Sequence, residues 1–259
     1  MTTLDADALR GFVEELVAAS GEVIRRHFRR PGLRVESKSD SSPVTVADRE
    51  AEAVLRARIA ARFPDHGIIG EEHGSEREEA EHVWILDPID GTISFVGGVT
   101  LFGTLIGLLR GGLPILGAIH QPITGELVIG TATGTTLDGR PVRVREPRPL
   151  GQATVLTTDP GLIPRSEDFE RFENLRRRAR VFRTWGDCYG YLMVATGRAD
   201  LMLDPVMNPW DLLPLVPVIR GAGGRITTWE GGDPVTGSSA LAGTPAAHAE
   251  ALRILAGAV

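Results

Sequence analysis

Cysteine is almost missing from this chain of 259 residues: Cys188 stands alone. No intrachain disulfide can form, and a single thiol fits a reducing compartment, so a cytoplasmic protein is expected. Lysine is as scarce, occurring only at Lys38, while arginine does all other cationic duty. Long apolar runs are lacking too. No stretch approaches the ~20 residues of a membrane span, and the N-terminus shows no basic-then-apolar leader pattern. Positive charge does not prevail: Lys+Arg total 28 against 34 for Asp+Glu, a net charge of −6, which argues against a nucleic-acid binder. None of His27, His66, His73, His82, His120 or His248 shows metalloenzyme spacing. Neither a linker-like segment nor an internal repeat breaks the chain. What is present is a 42% hydrophobic sequence, long enough to bury a sizeable core.

The periodicity predicts a first helix over 4–28, where Leu9, Phe12, Val13, Leu16, Val17, Val23, Ile24 and Phe28 recur at near-helical spacing. A polar loop from Ser37 to Pro43 follows, then a second helix over 45–62. Strands are expected at 103–109, 115–120 and 126–131, with a hairpin-like turn at Asp138-Gly139-Arg140. From about Leu150 the pattern changes. Strands at 153–157, 181–184, 201–203 and 225–228 alternate with helices at 167–178, 188–196, 212–220 and 246–255. The reading is an α+β chain with an N-terminal α+β half, 1–149, packed on a C-terminal α/β half, 150–259.

The most informative stretch is Trp84-Ile85-Leu86-Asp87-Pro88-Ile89-Asp90-Gly91-Thr92. An apolar run that reads as a buried strand ends in two aspartates, and Asp is costly to bury unpaired. Carboxylates so spaced can hold one or two hard cations. Gly91 lets the backbone pass close to a ligand, and the Thr92 hydroxyl can hold a water. The alternative is a strand followed by an Asx-type surface turn. Upstream, Gly67-Ile68-Ile69-Gly70-Glu71-Glu72 is another apolar run capped by acids, opening a charged stretch through Glu81-His82 that reads as solvated loop. Downstream, Asn208-Pro209-Trp210-Asp211 sets an acid where it can cap a helix.

Gly-Glu-Glu, then Asp-Pro-Ile-Asp-Gly-Thr, then Trp-Asp, in this order, resemble the inositol monophosphatase-like family of metal-dependent phosphatases. The likeness runs from Lys38 to Gly221-Ala222-Gly223-Gly224. It implies a layered αβαβα sandwich of the inositol monophosphatase and sugar phosphatase type, with the active site where the halves meet. It also implies that Glu71, Asp87, Asp90 and Asp211, with the Ile89 carbonyl, are metal ligands. Oxygen-only ligands favour Mg²⁺, two or three ions, with Mn²⁺ the alternative. The implied reaction is in-line displacement at phosphorus by a metal-activated water. Glu71 and Thr92 would orient that water, Gly91 and Thr92 would cradle the phosphate, and a second metal at Asp87, Asp90 and Asp211 would meet the leaving alkoxide. Lys38 and Asp48 fall near positions that lie on a mobile loop in relatives. Relatives are commonly homodimers.

For the substrate, a small phosphate ester, the segment Arg183-Thr184-Trp185-Gly186-Asp187-Cys188-Tyr189-Gly190-Tyr191 is similar to the histidinol-phosphate phosphatase branch. Histidinol phosphate carries an ammonium group and an imidazole, so Asp187 or Asp204 has a cation to pair with and Tyr189 or Trp185 a ring to stack on. The bland alternatives are a helix N-cap for Asp187 and core packing for Trp185 and Tyr191. Three features depart from that branch: Ile93 follows Asp-Gly-Thr, Phe95-Val96-Gly97-Gly98 lacks the Arg common in that segment, and Leu212-Leu213-Pro214 follow Trp-Asp where small residues are common. An inositol-1-phosphate or broad sugar-phosphate phosphatase is the rival reading. A regulatory binding protein with incidental phosphatase activity is the reading from another class.

Overall fold

The computed structural model describes residues 6–37, 43–163 and 167–258. Lys38, singled out above, lies outside the described residues. The two expected N-terminal helices are Ala6–His27 and Val46–Arg62. Leu9, Phe12, Val13, Leu16 and Val17 form one apolar stripe of the first and pack with Leu55 and Ile59 of the second. The second helix has a reciprocal cap. Thr45 Oγ1 accepts from the Ala47 N–H at 3.1 Å, and the Asp48 carboxylate accepts from the Thr45 N–H at 2.8 Å.

Both helices cover one face of an eight-stranded sheet. Its spatial order is Arg140–Val142, Gly134–Leu137, Glu126–Thr131, Leu113–Gln121, Gly103–Arg110, His82–Asp90, Gly67–Gly70 and Gly74–Glu76. Neighbours are antiparallel except Gly67–Gly70, which runs parallel to His82–Asp90. The other face meets the helices Asp187–Ala195 and Leu215–Gly221. Behind these lies a five-stranded sheet in the order Val181–Arg183, Thr154–Leu156, Leu201–Asp204, Ala240–Gly243 and Arg225–Thr227. One apolar cluster joins Leu105 and Ile119 of the large sheet, through Leu192 and Leu215, to Met202 and Ala242 of the small one. Leu201 and Leu203 alternate with Met202 and face the outer helices Glu167–Arg178 and Pro245–Leu255, where they meet Phe172 and Ile254. The layers are therefore helix, sheet, helix, sheet, helix, as the resemblance implied.

A row of glycines lets the middle layer sit close. Gly107, Gly117 and Gly130 are cross-strand neighbours on three adjacent strands. A Cβ on Gly117 would stand 1.8 Å from the Pro214 carbonyl oxygen, and one on Gly130 would stand 2.3 Å from Val218 Cα. Three readings need correction. The helix expected over 212–220 is divided into Pro209–Leu212 and Leu215–Gly221, because Pro214 cannot donate into a continuous helix. The strand Ala240–Gly243 was not anticipated, its small residues carrying no β-branched signal. The charged stretch after Glu71 holds a short exposed strand, Gly74–Glu76.

Candidate metal centre

The site begins with an irregularity in the strand His82–Asp90, whose residues from Val83 to Ile89 are all buried. Its pairing with Gly103–Arg110 slips between Asp87 and Asp90. Pro88 has no N–H for the ladder, and its carbonyl accepts from Thr104 Oγ1 at 2.8 Å instead. Asp87 Oδ1 accepts the Ile89 N–H at 3.0 Å. In a regular strand, residues three apart point to opposite faces; the slip turns Asp87 and Asp90 to the same side. Asp211 reaches them from the first turn of Pro209–Leu212, held by the Asn208 N–H at 2.8 Å. One carboxylate oxygen from each of Asp87, Asp90 and Asp211 lies within 4.8 Å of the others. Glu71 follows the strand Gly67–Gly70. Its N–H bonds to the Leu86 carbonyl at 3.1 Å and its side chain hydrogen-bonds Asp87.

Four acids crowded in low dielectric repel one another. Burial first, and then Glu71, Asp90 and Asp211, push Asp87 well above the ordinary carboxylate range. Burial, Asp187 and Asp211 do the same to Asp90. Asp211 is raised to about 6, chiefly by burial. Such a cluster is costly unless positive charge arrives, and its oxygens suit a hard divalent cation. The donor set therefore fits the expected metal.

The centre opens into a cleft of about 380 Å³ lined by Glu71, Gly91, Thr92, Ile93, Thr158 and Asp187, among others. Gly91 is required twice over. Its φ of 92° is left-handed, and a Cβ would stand 2.8 Å from both Leu101 O and Asp187 Oδ2. Thr92 opens the short helix Thr92–Val96. Its hydroxyl has two acceptors in reach, the Ile89 carbonyl at 3.1 Å and Asp48 Oδ1 at 3.4 Å. With its proton committed to one of these, its lone pairs are left for a donor in the cleft. Asp48 thus links the second helix to the site, and burial raises it above its ordinary value.

The four substrate candidates separate. Asp187 lines the cleft, and its carboxylate is raised to about 7 by burial, Asp204 and Asp211. It is not the cap of its helix: Gly186 holds that place, with no side-chain cap bond. Asp204 borders an inner recess, but protein donors engage both its oxygens, the Thr158 N–H at 2.9 Å and the Tyr191 hydroxyl at 2.9 Å. It is a brace rather than an open acceptor. Tyr189 is turned away from the cleft, its hydroxyl donating to Glu126 at 3.1 Å. Trp185 is 40% exposed, between Thr184 and Gly186, and is not among the cleft's lining residues. Tyr191 is buried in the core.

Sequence reasoning missed Glu52. Fully buried, it accepts the Glu72 N–H at 2.8 Å and the His73 N–H at 3.1 Å, while Arg56 Nε holds it at 2.7 Å. It fixes the turn that carries Glu71. The available signal was that Asp48 and Glu52 share the apolar stripe of Leu55 and Ile59, where an acid needs a reason.

Comparison with known proteins agrees with this geometry. The inositol monophosphatase family model matches residues 5–258. The chain is 45% identical over 234 residues to the chloroplastic bifunctional phosphatase IMPL2 of Arabidopsis thaliana, covering 89% of this chain and 66% of that longer one. It is 39% identical over 218 residues to the histidinol-phosphatase of Chlorobaculum parvum, covering 84% of each. The inositol monophosphatase of Zymomonas mobilis shares the fold with a TM-score of 0.86 and 34% identity, over 98% of this chain and 100% of that one.

Proposed function

The chain belongs to the inositol monophosphatase family and is a metal-dependent phosphatase, and within that family we propose that it hydrolyses histidinol phosphate to histidinol and phosphate, in histidine biosynthesis. One observation carries the choice of substrate. The Asp187 carboxylate borders the cleft beside the acidic centre and accepts a hydrogen bond from no described residue. A desolvated acid so placed asks for a cation, and the ammonium group of histidinol phosphate supplies one. The name of the Chlorobaculum parvum relative supports the same reading.

Glu71, Asp87, Asp90, Asp211 and the Ile89 carbonyl would hold Mg²⁺, two or three ions, or Mn²⁺ in its place. Bound there, divalent cations supply charge neutralisation and a water of lowered pKa. The chain's own part is positioning. Glu71, against Asp87, would take the proton of the attacking water. The Thr92 hydroxyl, its own proton directed to Ile89 O or Asp48, would accept from that water and fix its orientation. The backbone N–H groups of Gly91 and Thr92 would receive phosphate oxygens. Four mutually repelling acids would serve little purpose in a pure binding protein. A cytoplasmic setting rests on the unpaired Cys188, and a homodimer on resemblance alone.

The test is phosphate release with Mg²⁺ on histidinol phosphate, inositol 1-phosphate, fructose 1,6-bisphosphate and adenosine 3′,5′-bisphosphate. A preference of about a hundredfold in kcat/KM for histidinol phosphate, ~2.7 kcal/mol of transition-state discrimination, is expected. A flat profile, or preference for a neutral polyol ester, would leave the phosphatase and overturn the substrate.

A further inference from the structure

Taking Asp187 as the carboxylate that selects a cationic ester, we infer that Thr158 is the positioning residue that sets it in place. Asp187 has a φ of 51°, in the left-handed region that L residues seldom occupy. It begins the helix Asp187–Ala195, where an ordinary right-handed residue would serve the helix better. Asp enters this region more readily than most L residues, yet it is uncommon as the first residue of a helix, and a conformation of this kind kept beside a site points to a use there.

The holding contact is visible. Thr158 Oγ1 accepts the Asp187 N–H at 2.8 Å. The same residue leaves no room at position 186: a Cβ on Gly186 would stand 2.3 Å from Thr158 Cα. Thr158 is itself anchored, because its N–H donates to Asp204 Oδ1 at 2.9 Å. The other oxygen of Asp204 is held by the Tyr191 hydroxyl at 2.9 Å, and the residue is buried. A chain of contacts thus runs from the strand Leu201–Asp204 through Thr158 to the backbone of Asp187. It ends at the cleft, with Asp187 Oδ2 against the place a Gly91 Cβ would occupy.

Without the hydroxyl acceptor, nothing in this chain of contacts opposes relaxation of Asp187 toward negative φ. That relaxation would swing the carboxylate off Gly91, and an ammonium docked there would lose its partner. Thr158 therefore acts on selection between esters through Asp187.

The experiment compares Thr158→Val, which keeps the shape and deletes the acceptor, with Thr158→Ser, which restores it, and with Asp187→Asn. The readout is kcat/KM for histidinol phosphate divided by that for glycerol 2-phosphate, a neutral ester. We expect the ratio to fall about tenfold in Thr158→Val, mostly through KM, and to return near wild type in Thr158→Ser. The Asp187→Asn/Thr158→Val double variant should be no worse than Asp187→Asn. Hydrogen exchange at the Asp187 amide should quicken in Thr158→Val. If Asp187→Asn lowers the ratio and Thr158→Val does not, or if the two losses add, the inference fails while the substrate reading stands. If neither variant moves the ratio, the substrate reading fails with it.

Discussion

The carboxylate of Asp90 accepts a hydrogen bond from the backbone N–H of Cys188, 98 positions further along the chain. An acid at the end of a strand in the large sheet is thereby tied to the first turn of the helix Asp187–Ala195, between the sheets. Asn at position 90 keeps an oxygen for that bond but surrenders the charge. Asp90→Asn is expected to lower kcat by a hundredfold or more. In EDTA at pH 8 its Tm should be no lower than wild type, because like charges have been relieved. Activity measurements paired with thermal scans, with and without Mg²⁺, check both signs. A marked loss of Tm in EDTA would mark Asp90 as a structural group instead.

Stability of the metal-free protein should fall as pH rises. Burial, above all, lifts Asp211 to about 6 and Asp187 to about 7, both above the 3.8 of an ordinary Asp. For an acid whose folded pKa is raised, the stabilising contribution is complete below 3.8 and is lost as pH climbs through the folded value. Divalent cations reverse the loss by binding the ionised cluster and releasing its protons. The Tm gain from saturating Mg²⁺ is therefore expected to be at least about twice as large at pH 8 as at pH 5.5. Calorimetry in buffers of different ionisation enthalpy should record proton release at pH 6.5.

Removing Glu52 tests the clasp behind Glu71. Glu52→Ala takes from the Arg56 guanidinium, whose side chain is only 10% exposed, its one buried carboxylate among the described residues, leaving it the half-exposed Glu76 and the Gly74 carbonyl. It also frees the N–H groups of Glu72 and His73. A loss of about 3–5 kcal/mol in urea unfolding is expected. Isothermal titration with Mn²⁺ should show weaker binding, since Glu71 rides on that turn. Glu52→Gln, which keeps shape and one acceptor, should lose less on both measures.

Gly117→Ala tests the close approach of the middle layer. Its Cβ would fall 1.8 Å from the Pro214 carbonyl oxygen, a backbone atom that cannot rotate away. A destabilisation of about 2 kcal/mol is expected, with reduced kcat because Pro214 lies just beyond Asp211. Gly11→Ala is the contrast. That position lies inside the helix Ala6–His27 with nothing within 4 Å of a new Cβ, so a gain of about 0.5–1 kcal/mol should appear. Urea unfolding of both variants separates packing from glycine content.

Much of the site was legible one residue at a time. Asp87, Asp90, Asp211 and Glu71 announced themselves as acids bordering apolar runs, where chain solvation alone gives them no reason to be. Asp187 was singled out by the likeness of its segment to the histidinol-phosphate phosphatase branch, and its place in the cleft came only with the fold. Asp204, Tyr189 and Trp185 were not legible: a polar side chain next to a site in sequence can point inward, outward or across, and only its neighbours decide. Asp204 spends its oxygens on Thr158 and Tyr191, and Tyr189 spends its hydroxyl on Glu126. Glu52 escaped notice because, besides nearby Arg56, the groups it holds are the backbone N–H groups of Glu72 and His73, 20 and 21 positions away.

By itself the sequence determined the local order of this protein. The apolar periodicity over 4–28 predicts the helix found as Ala6–His27, and the apolar run ending in two acids predicts the buried strand found as His82–Asp90. Those signals are short-ranged, since side-chain direction repeats every few residues whatever the rest of the chain does. Only the tertiary structure decided that Gly107, Gly117 and Gly130 fall in register as a groove, that Asp211 arrives opposite Asp87 and Asp90, and that Thr158 holds Asp187 in a left-handed conformation. Each of these joins segments far apart in the chain, and their meeting depends on strand register and layer packing, which no local window of residues contains.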